Sequence, residues 1–145
     1  FDSDGVVTQD KIIVNDGVLE TYLLDTYSSR KRNQKCTGKG VITNIVIESK
    51  NKYPQDILKT MGNGILISEM MGSGANTLTG DYSRGAFGYL IENGKIIAPV
   101  TEITVASNLK DMLKNIICIG NDFDHRGNIR TGSILIDNIS IGGKS

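Results

Sequence analysis

Histidine occurs once in the 145 residues, at His125, and that scarcity removes more chemistry than any other feature of the chain. A hydrolytic zinc site needs about three protein ligands beside an open position, so an HExxH helix cannot be built from this sequence. Cysteine is also scarce. Cys36 and Cys118 stand far apart and neither belongs to a CxxC pair, which argues against a redox motif or a zinc knuckle. Two free thiols suit a reducing cytoplasm, the expected location. There is no excess charge of either sign, because 16 Lys and Arg balance 16 Asp and Glu. Binding by phosphate neutralisation needs a basic surplus, so no nucleic-acid partner is expected. The basic cluster Arg30-Lys31-Arg32 with Lys35 has no interleaved aromatics and reads as a solvated loop. No apolar run nears the ~18 residues that span a bilayer, and no signal-peptide pattern opens the sequence, so no membrane partner is expected. The chain begins at Phe1 and its first methionine is Met61, so an upstream portion of a larger protein is expected.

What remains is a chain of 15.7 kDa whose hydrophobic fraction of 39% is sufficient for a core. No internal linker is evident, and residues 1–145 read as one domain of ordinary size. Gly is frequent at 17 residues and Pro is rare at 2, which with many β-branched residues indicates short strands joined by tight turns. The expected fold class is α+β: a mostly antiparallel sheet, or a barrel-like core, with two short packed helices.

Asp16-Gly17 separates Ile12–Val14 from Val18–Leu24, and Asn93-Gly94 separates the halves of Phe87–Ile97. Both dipeptides tolerate positive φ and mark hairpins. The likeness of Ile13–Leu19 to Leu90–Ile96 is either a weak internal repeat or two hairpins of common type. Glu92 and Lys95 flank the second turn as a cross-strand ion pair, and Phe87, Tyr89 and Ile91 share one parity and one face. Further strands are expected at Ile42–Ile47, Ile65–Glu69, Glu102–Ala106, Ile116–Ile119 and Ile134–Ile141. In the last, a parity change between Ile136 and Ile139 suggests a bulge near Asp137-Asn138 or burial on both faces. Pro54 opens one helix, with Ile57, Leu58 and Met61 as its stripe and Gly62 as its end. Asn108 caps a second, with Asp111 completing a loose capping box and Leu109, Met112, Leu113 and Ile116 as a core stripe. Thr26–Lys31 has the makings of a further helical turn.

Most catalytic constellations are incomplete. Asp2-x-Asp4-Gly5 lacks the later oxygen ligands of a calcium loop. A Cys–His dyad would need His125, which lies in a polar turn, with Cys36 or with Cys118, which sits in an apolar run. Asp25-Thr26 begins like an aspartic-protease motif, but Tyr27 replaces the glycine; Asp122 and Asp124 read as turn formers. Gly142-Gly143-Lys144-Ser145 ends like a P-loop but lacks its upstream glycine and following helix. One stretch stands out. Glycines at Gly72, Gly74, Gly80, Gly85 and Gly88 enclose Asp81, Tyr82, Ser83 and Arg84, a dense polar set. It is either a loop and glycine-bulged strand tied by an Asp–Arg pair, or the lip of a peptide-binding cleft.

Thr79-Gly80-Asp81-Tyr82-Ser83-Arg84-Gly85-Ala86, followed by Ile91-Glu92-Asn93-Gly94, resembles the C-terminal domain of the TldD/PmbA family, once called modulators of DNA gyrase. Ordered blocks extend the resemblance across nearly the whole chain: Asp16 to Leu19, Tyr22 to Ser28, Pro99 to Ala106, Asn108 to Leu113, Gly120-Asn121-Asp122, and Arg126-Gly127 with Ile129-Arg130-Thr131. The resemblance implies a metalloprotease family whose TldD branch carries an HExxxH helix upstream and a cysteine ligand in a glycine-rich loop of this domain. The PmbA branch, also called TldE, lacks that zinc set. Between Phe123 and Thr131 there is no cysteine, Cys118 precedes the loop, and the Asp-Tyr-Ser-Arg-Gly block is similar to the PmbA form.

The resemblance therefore implies a domain without a metal or cofactor of its own, with zinc held by a TldD-type partner subunit, acting in peptide proteolysis and peptide-antibiotic maturation. The domain would assemble with that subunit or with itself as a dimer. Asp81, Tyr82, Ser83 and Arg84, with Arg126 and Arg130, are the candidate substrate or partner cleft. No residue is assigned a catalytic or metal-binding role. A purely structural dimerisation module is the alternative, and an independent enzyme with a cryptic site is the third reading.

Overall fold

The computed structural model describes all residues except 3–4, 39–43, 49–52 and 144–145. The chain divides into two compact units, Phe1–Asn44 and Ile45–Ser145. Parts of the expected 42–47 strand, the Asp2-x-Asp4 loop and the terminal Lys144-Ser145 lie outside the described residues.

In the first unit, β1 (Val14–Asn15) and β2 (Val18–Leu19) form the first expected hairpin, with φ of 45° at Asp16 and 82° at Gly17. Positive φ at both central residues is what a twist-matched two-residue turn requires. The strands are far shorter than their apolar runs, because Ile12, Val14, Val18 and Leu19 are all exposed and have no face to bury. The helix α1 (Thr26–Arg32) follows, capped by the Asp25 carboxylate, which accepts from Ser28 N at 2.6 Å. Asp25 is thus a helix cap, and the basic run is helical rather than a loop. Arg30, Lys31 and Arg32 occupy the last turn, where cations face the helix's negative end. Thr37 ties the buried Leu24: its Oγ1 accepts from Leu24 N at 2.7 Å, and its own N–H donates to Leu24 O at 3.1 Å.

The second unit contains β3 (Ile45–Val46), α2 (Pro54–Met61), β4 (Gly64–Met71), β5 (Asp81–Glu92), β6 (Lys95–Asn108), α3 (Leu109–Lys114), β7 (Ile116–Ile119), β8 (Ile129–Arg130), β9 (Ile134–Ile136) and β10 (Ser140–Gly142). Four strands make an antiparallel sheet in the order β10-β6-β5-β4. β7 pairs antiparallel with β9, and β3 pairs parallel with β8. The α+β class holds. The sheet is open, with β4 and β10 as edges, so the barrel alternative is corrected, and α1 is a third helix.

Asn93 at φ 50° and Gly94 at φ 72° turn β5 into β6 and place Glu92 opposite Lys95. The separately expected strand at Glu102–Ala106 is the continuation of β6, which runs 14 residues through Pro99. Two register shifts absorb the irregularities, one of them at Glu102, whose φ is 53°. Proline is tolerated because β10 pairs only with Thr104–Ala106, leaving β6 an edge strand at Pro99. Strand alternation sends Tyr82, Arg84, Ala86, Gly88 and Leu90 to one face. There Ala86 packs with Ile103 and Val105, and Ile65, Ile67, Met70 and Val100 close around them. Phe87, Tyr89 and Ile91 share the opposite face; Ile91 is fully buried, whereas Tyr89 is 40% exposed.

The expected strand Ile134–Ile141 is two strands in two sheets. Asn138, at φ 55°, turns the chain from β9 to β10, and this change of sheet accounts for the parity break. α2 buries Ile57 and ends at Gly62 as expected. α3 is capped by Asn108 Oδ1, which accepts from Lys110 N at 3.0 Å. Its expected core stripe is corrected: no residue of α3 is buried, and Leu113 is 71% exposed.

Gly88 crosses β4 so closely that an added Cβ would collide with the Leu66 carbonyl and lie 3.0 Å from Ile67 Cα. Gly88→Ala is expected to destabilise the fold by about 3 kcal/mol, as overpacking against backbone does. Gly142→Ala, where a Cβ meets nothing within 4 Å, should leave the thermal midpoint unchanged.

Candidate functional site

The segment between β4 and β5 is built around one asparagine. Asn76 Oδ1 accepts from Leu78 N at 3.0 Å and Thr79 N at 3.3 Å, while Asn76 N donates to Asp81 O at 2.8 Å. Gly80 N returns to Asn76 O at 2.7 Å, and Thr79 Oγ1 donates to Asp81 Oδ2 at 2.7 Å. Asn108, at the far end of β6, reaches over: its Nδ2 donates to Thr79 O at 3.2 Å, and the next residue, Leu109, donates its N–H to Gly80 O at 2.7 Å. One amide therefore caps α3 and pins the turn. The turn presents Leu78 to solvent with 96% of its surface exposed.

The expected tetrad does not act as one cluster. Alternation along β5 leaves Asp81 and Ser83 exposed on the open face, and turns Tyr82 and Arg84 toward the core face. Tyr82 Oη donates to Met70 Sδ at 2.8 Å. Arg84 donates from Nε to Met71 O at 3.3 Å and from Nη2 to Met70 O at 3.2 Å. These bonds stitch the start of β5 to the end of β4. The expected Asp–Arg tie is replaced: Asp81 takes the Thr79 hydroxyl and Arg84 takes two carbonyls, and no Asp81–Arg84 ion pair occurs among the described residues.

Arg126 and Arg130 lie elsewhere in the unit. Arg126 grips Asp124 with two bonds of 2.9 Å, Nε to Oδ1 and Nη2 to Oδ2. Arg130 is exposed in β8, paired in register with Val46. Among the described residues, no hydrogen bond or ion pair joins either arginine to the Asp81–Arg84 stretch. His125 is exposed, its ring 6.3 Å from that of Phe123. Cys118 is half-buried in β7, and Cys36 Sγ donates to Leu24 O at 3.3 Å.

The two aspartates read as turn formers differ in their surroundings. Partial burial pushes the Asp122 carboxyl up, but Ser133 outweighs it: Ser133 Oγ donates at 2.6 Å and Ser133 N at 2.9 Å, and the net shift is downward. The Asp122–Ser133 clasp closes the base of the segment between β7 and β9, and sequence reasoning missed it because the partners are eleven residues apart. Asp124 is held down to about 2 by the Arg126 side-chain and backbone hydrogen bonds. The shallow cleft in the first unit, about 320 Å³, is lined by Glu20, Tyr22, Leu24, Gln34, Lys35 and other residues.

Zinc is the metal a metallopeptidase family implies, and these residues do not fit a complete site for it. Among the described residues no three of His, Cys, Asp or Glu converge. No helix of the described residues is long and apolar enough to cross a membrane.

Fold and site together define an α+β domain with exposed polar groups on an open sheet and no complete set of metal ligands among its described residues. The chain belongs to the PmbA/TldD family: residues 1–143 match the family described as the PmbA/TldA metallopeptidase C-terminal domain. It is 48% identical to the metalloprotease PmbA homolog of Haemophilus influenzae and to the metalloprotease PmbA of Escherichia coli O157:H7, in each case over 99% of this chain and 32% of the relative. Identity to a metalloprotease TldD homolog of Buchnera aphidicola is 26%, over 99% of this chain and 35% of that one. A Thermotoga maritima protein described as a modulator of a DNA gyrase superposes with a TM-score of 0.89 at 33% identity, covering 98% of this chain and 35% of its own. The chain thus spans about a third of the length of the curated relatives it matches.

Two outcomes test the site's internal chemistry. A carboxylate with a depressed folded pKa contributes stability above its ordinary value of 3.8 and loses that contribution as pH falls through about 2. In an NMR titration Asp124 should titrate near 2, and Arg126→Ala should return it toward 3.8. Asn108→Ala removes both a helix cap and the turn's pin. It is expected to cost about 1 kcal/mol and to speed hydrogen exchange at Gly80 and Leu109.

Proposed function

We propose that this chain is the C-terminal domain of a PmbA-type subunit, without zinc of its own, that assembles with a zinc-bearing TldD-type partner in peptide proteolysis, including maturation of peptide antibiotics. The observation that carries this reading is the 48% identity to PmbA relatives along 99% of the chain, against 26% to a TldD homolog. The sequence adds to it: no cysteine occurs between Phe123 and Thr131, where the resemblance puts the cysteine ligand of the TldD branch. Residues 1–145 act in it as one domain, and the cytoplasm is its proposed location.

Within that role, the exposed Asp81 and Ser83 and the turn carrying Leu78 form the contact surface for substrate or partner. Tyr82 and Arg84 hold that surface in place from below. Arg130 is the arginine free to meet a carboxylate, since the described contacts commit Arg126 to Asp124. The alternative is a structural dimerisation module with no substrate contact.

The full-length parent should be purified alone and with its TldD-type partner, then assayed for zinc content and peptide cleavage. The expected outcome is no stoichiometric zinc and no cleavage alone, with cleavage on mixing. Stoichiometric zinc with unaided cleavage would place the chain in the other branch. In the mixture, Asp81→Ala with Ser83→Ala should lower cleavage about tenfold if the open face contacts substrate or partner; unchanged cleavage favours the structural module.

A further inference from the structure

α3 is too short to be stable by itself. It has 6 residues and none of them is buried, whereas an isolated helix of fewer than about 12 residues is marginal in water. The helix is therefore held at its ends. At its start, Asn108 Oδ1 accepts from Lys110 N at 3.0 Å, and Leu109 N donates to Gly80 O at 2.7 Å. At its close, Asn115 N donates to Asp111 O at 2.9 Å, and Asn115 O accepts from Asp137 N at 3.0 Å. The turn before β5 leans on the same helix start. Thr79 O accepts from Asn108 Nδ2 at 3.2 Å, and Gly80 O accepts from Leu109. Gly80 is buried against this amide, and a Cβ there would lie 2.8 Å from Asn108 Oδ1. Asp81 and Asn108 also pair in register, so turn and helix meet at the open end of the β5–β6 hairpin.

We infer that α3 and the Asn76–Gly80 turn form one cooperative two-state unit that couples the surface of the turn to the surface of the helix. In the closed state, Asn108 caps the helix and pins the turn at once. Unwinding the first turn of α3 displaces Asn108 and Leu109, and the carbonyls of Thr79 and Gly80 lose their donors together. Loosening the turn acts in reverse: Leu109 N loses its acceptor, and the Asn108 amide loses the bond that aims Oδ1 at Lys110 N. Such coupling is reciprocal. A partner that grips the turn carrying Leu78 therefore orders α3, and a partner that holds α3 fixes the turn. The coupling goes beyond the proposed protease role and holds whichever reaction the whole protein supports.

The test is amide hydrogen exchange in the full-length protein, read at single residues by mass spectrometry with electron-transfer fragmentation. Leu113→Gly removes an exposed side chain rather than a core contact and raises the opening of α3 about fivefold. The expected result is a similar acceleration at Asn115 N, inside the helix, and at Gly80 N, which donates to Asn76 O within the turn. Gly120 N, which donates to Ser133 O in the neighbouring strand pair, should keep its rate. Asn76→Ala perturbs the unit from the other side, by removing the acceptor of Leu78 N and Thr79 N. It should accelerate Asn115 N, and it carries the test alone if Leu113→Gly does not fold. Acceleration confined to the altered segment, in either variant, would overturn the inference in favour of two independent elements. Equal acceleration at Gly120 would overturn it in favour of opening of the whole unit.

Discussion

The antiparallel pairing of β5 with β6 is the constraint on which the second unit depends. Twelve residues of β5 and fourteen of β6 are held in register from Glu92–Lys95 at the turn to Asp81–Asn108 at the open end. Every later arrangement hangs from that hairpin. β4 adds to its outer side, β10 to part of its other side, and α3 grows directly from the last residue of β6. The pairing is long-range in effect though local in origin, since a two-residue turn at Asn93-Gly94 sets the register for both strands.

That register also decides what the polar segment can do. Because successive side chains alternate, four consecutive polar residues of a strand cannot all face one ligand. Asp81 and Ser83 remain on the open face, whereas Tyr82 and Arg84 are committed to Met70 and Met71. The turn that precedes them is held by two asparagine side chains, one within it and one at the end of β6. As the proposed contact surface, a segment so fixed would lose little conformational freedom on binding, which is the physical advantage of preorganisation. The arginine-bearing segment between β7 and β9 is organised separately, by the Asp122–Ser133 clasp and the Asp124–Arg126 pair.

Much of this was legible from residues alone. Both hairpin turns, α2 with its Pro54 start and Gly62 end, the Asn108 cap and the β4 and β7 strands follow from turn chemistry and periodicity, which act over a few residues. The errors share a different cause. Ile12, Val14, Val18 and Leu19 are apolar yet exposed, and only Leu24 at the end of the run is buried, so most of that run is not strand. Leu113 satisfies the helical stripe but meets no neighbour that buries it. Ile134–Ile141 reads as one strand because nothing local announces that its halves belong to different sheets.

The sequence by itself determined the family, the fold class, the turn positions and the scarcity of metal ligands, since these depend on which residues are present and on short-range φ, ψ preferences. Only the tertiary structure decided that the sheet stays open, that the Asp81–Arg84 stretch is split between two faces, that Asn108 serves both α3 and the Asn76 turn, and that Asp122 is clasped by Ser133. Each of these is a contact between residues distant in the chain or a matter of which face a strand turns inward. Such outcomes are set by strand register and by what covers the sheet, and those are properties of the assembled fold rather than of any local segment.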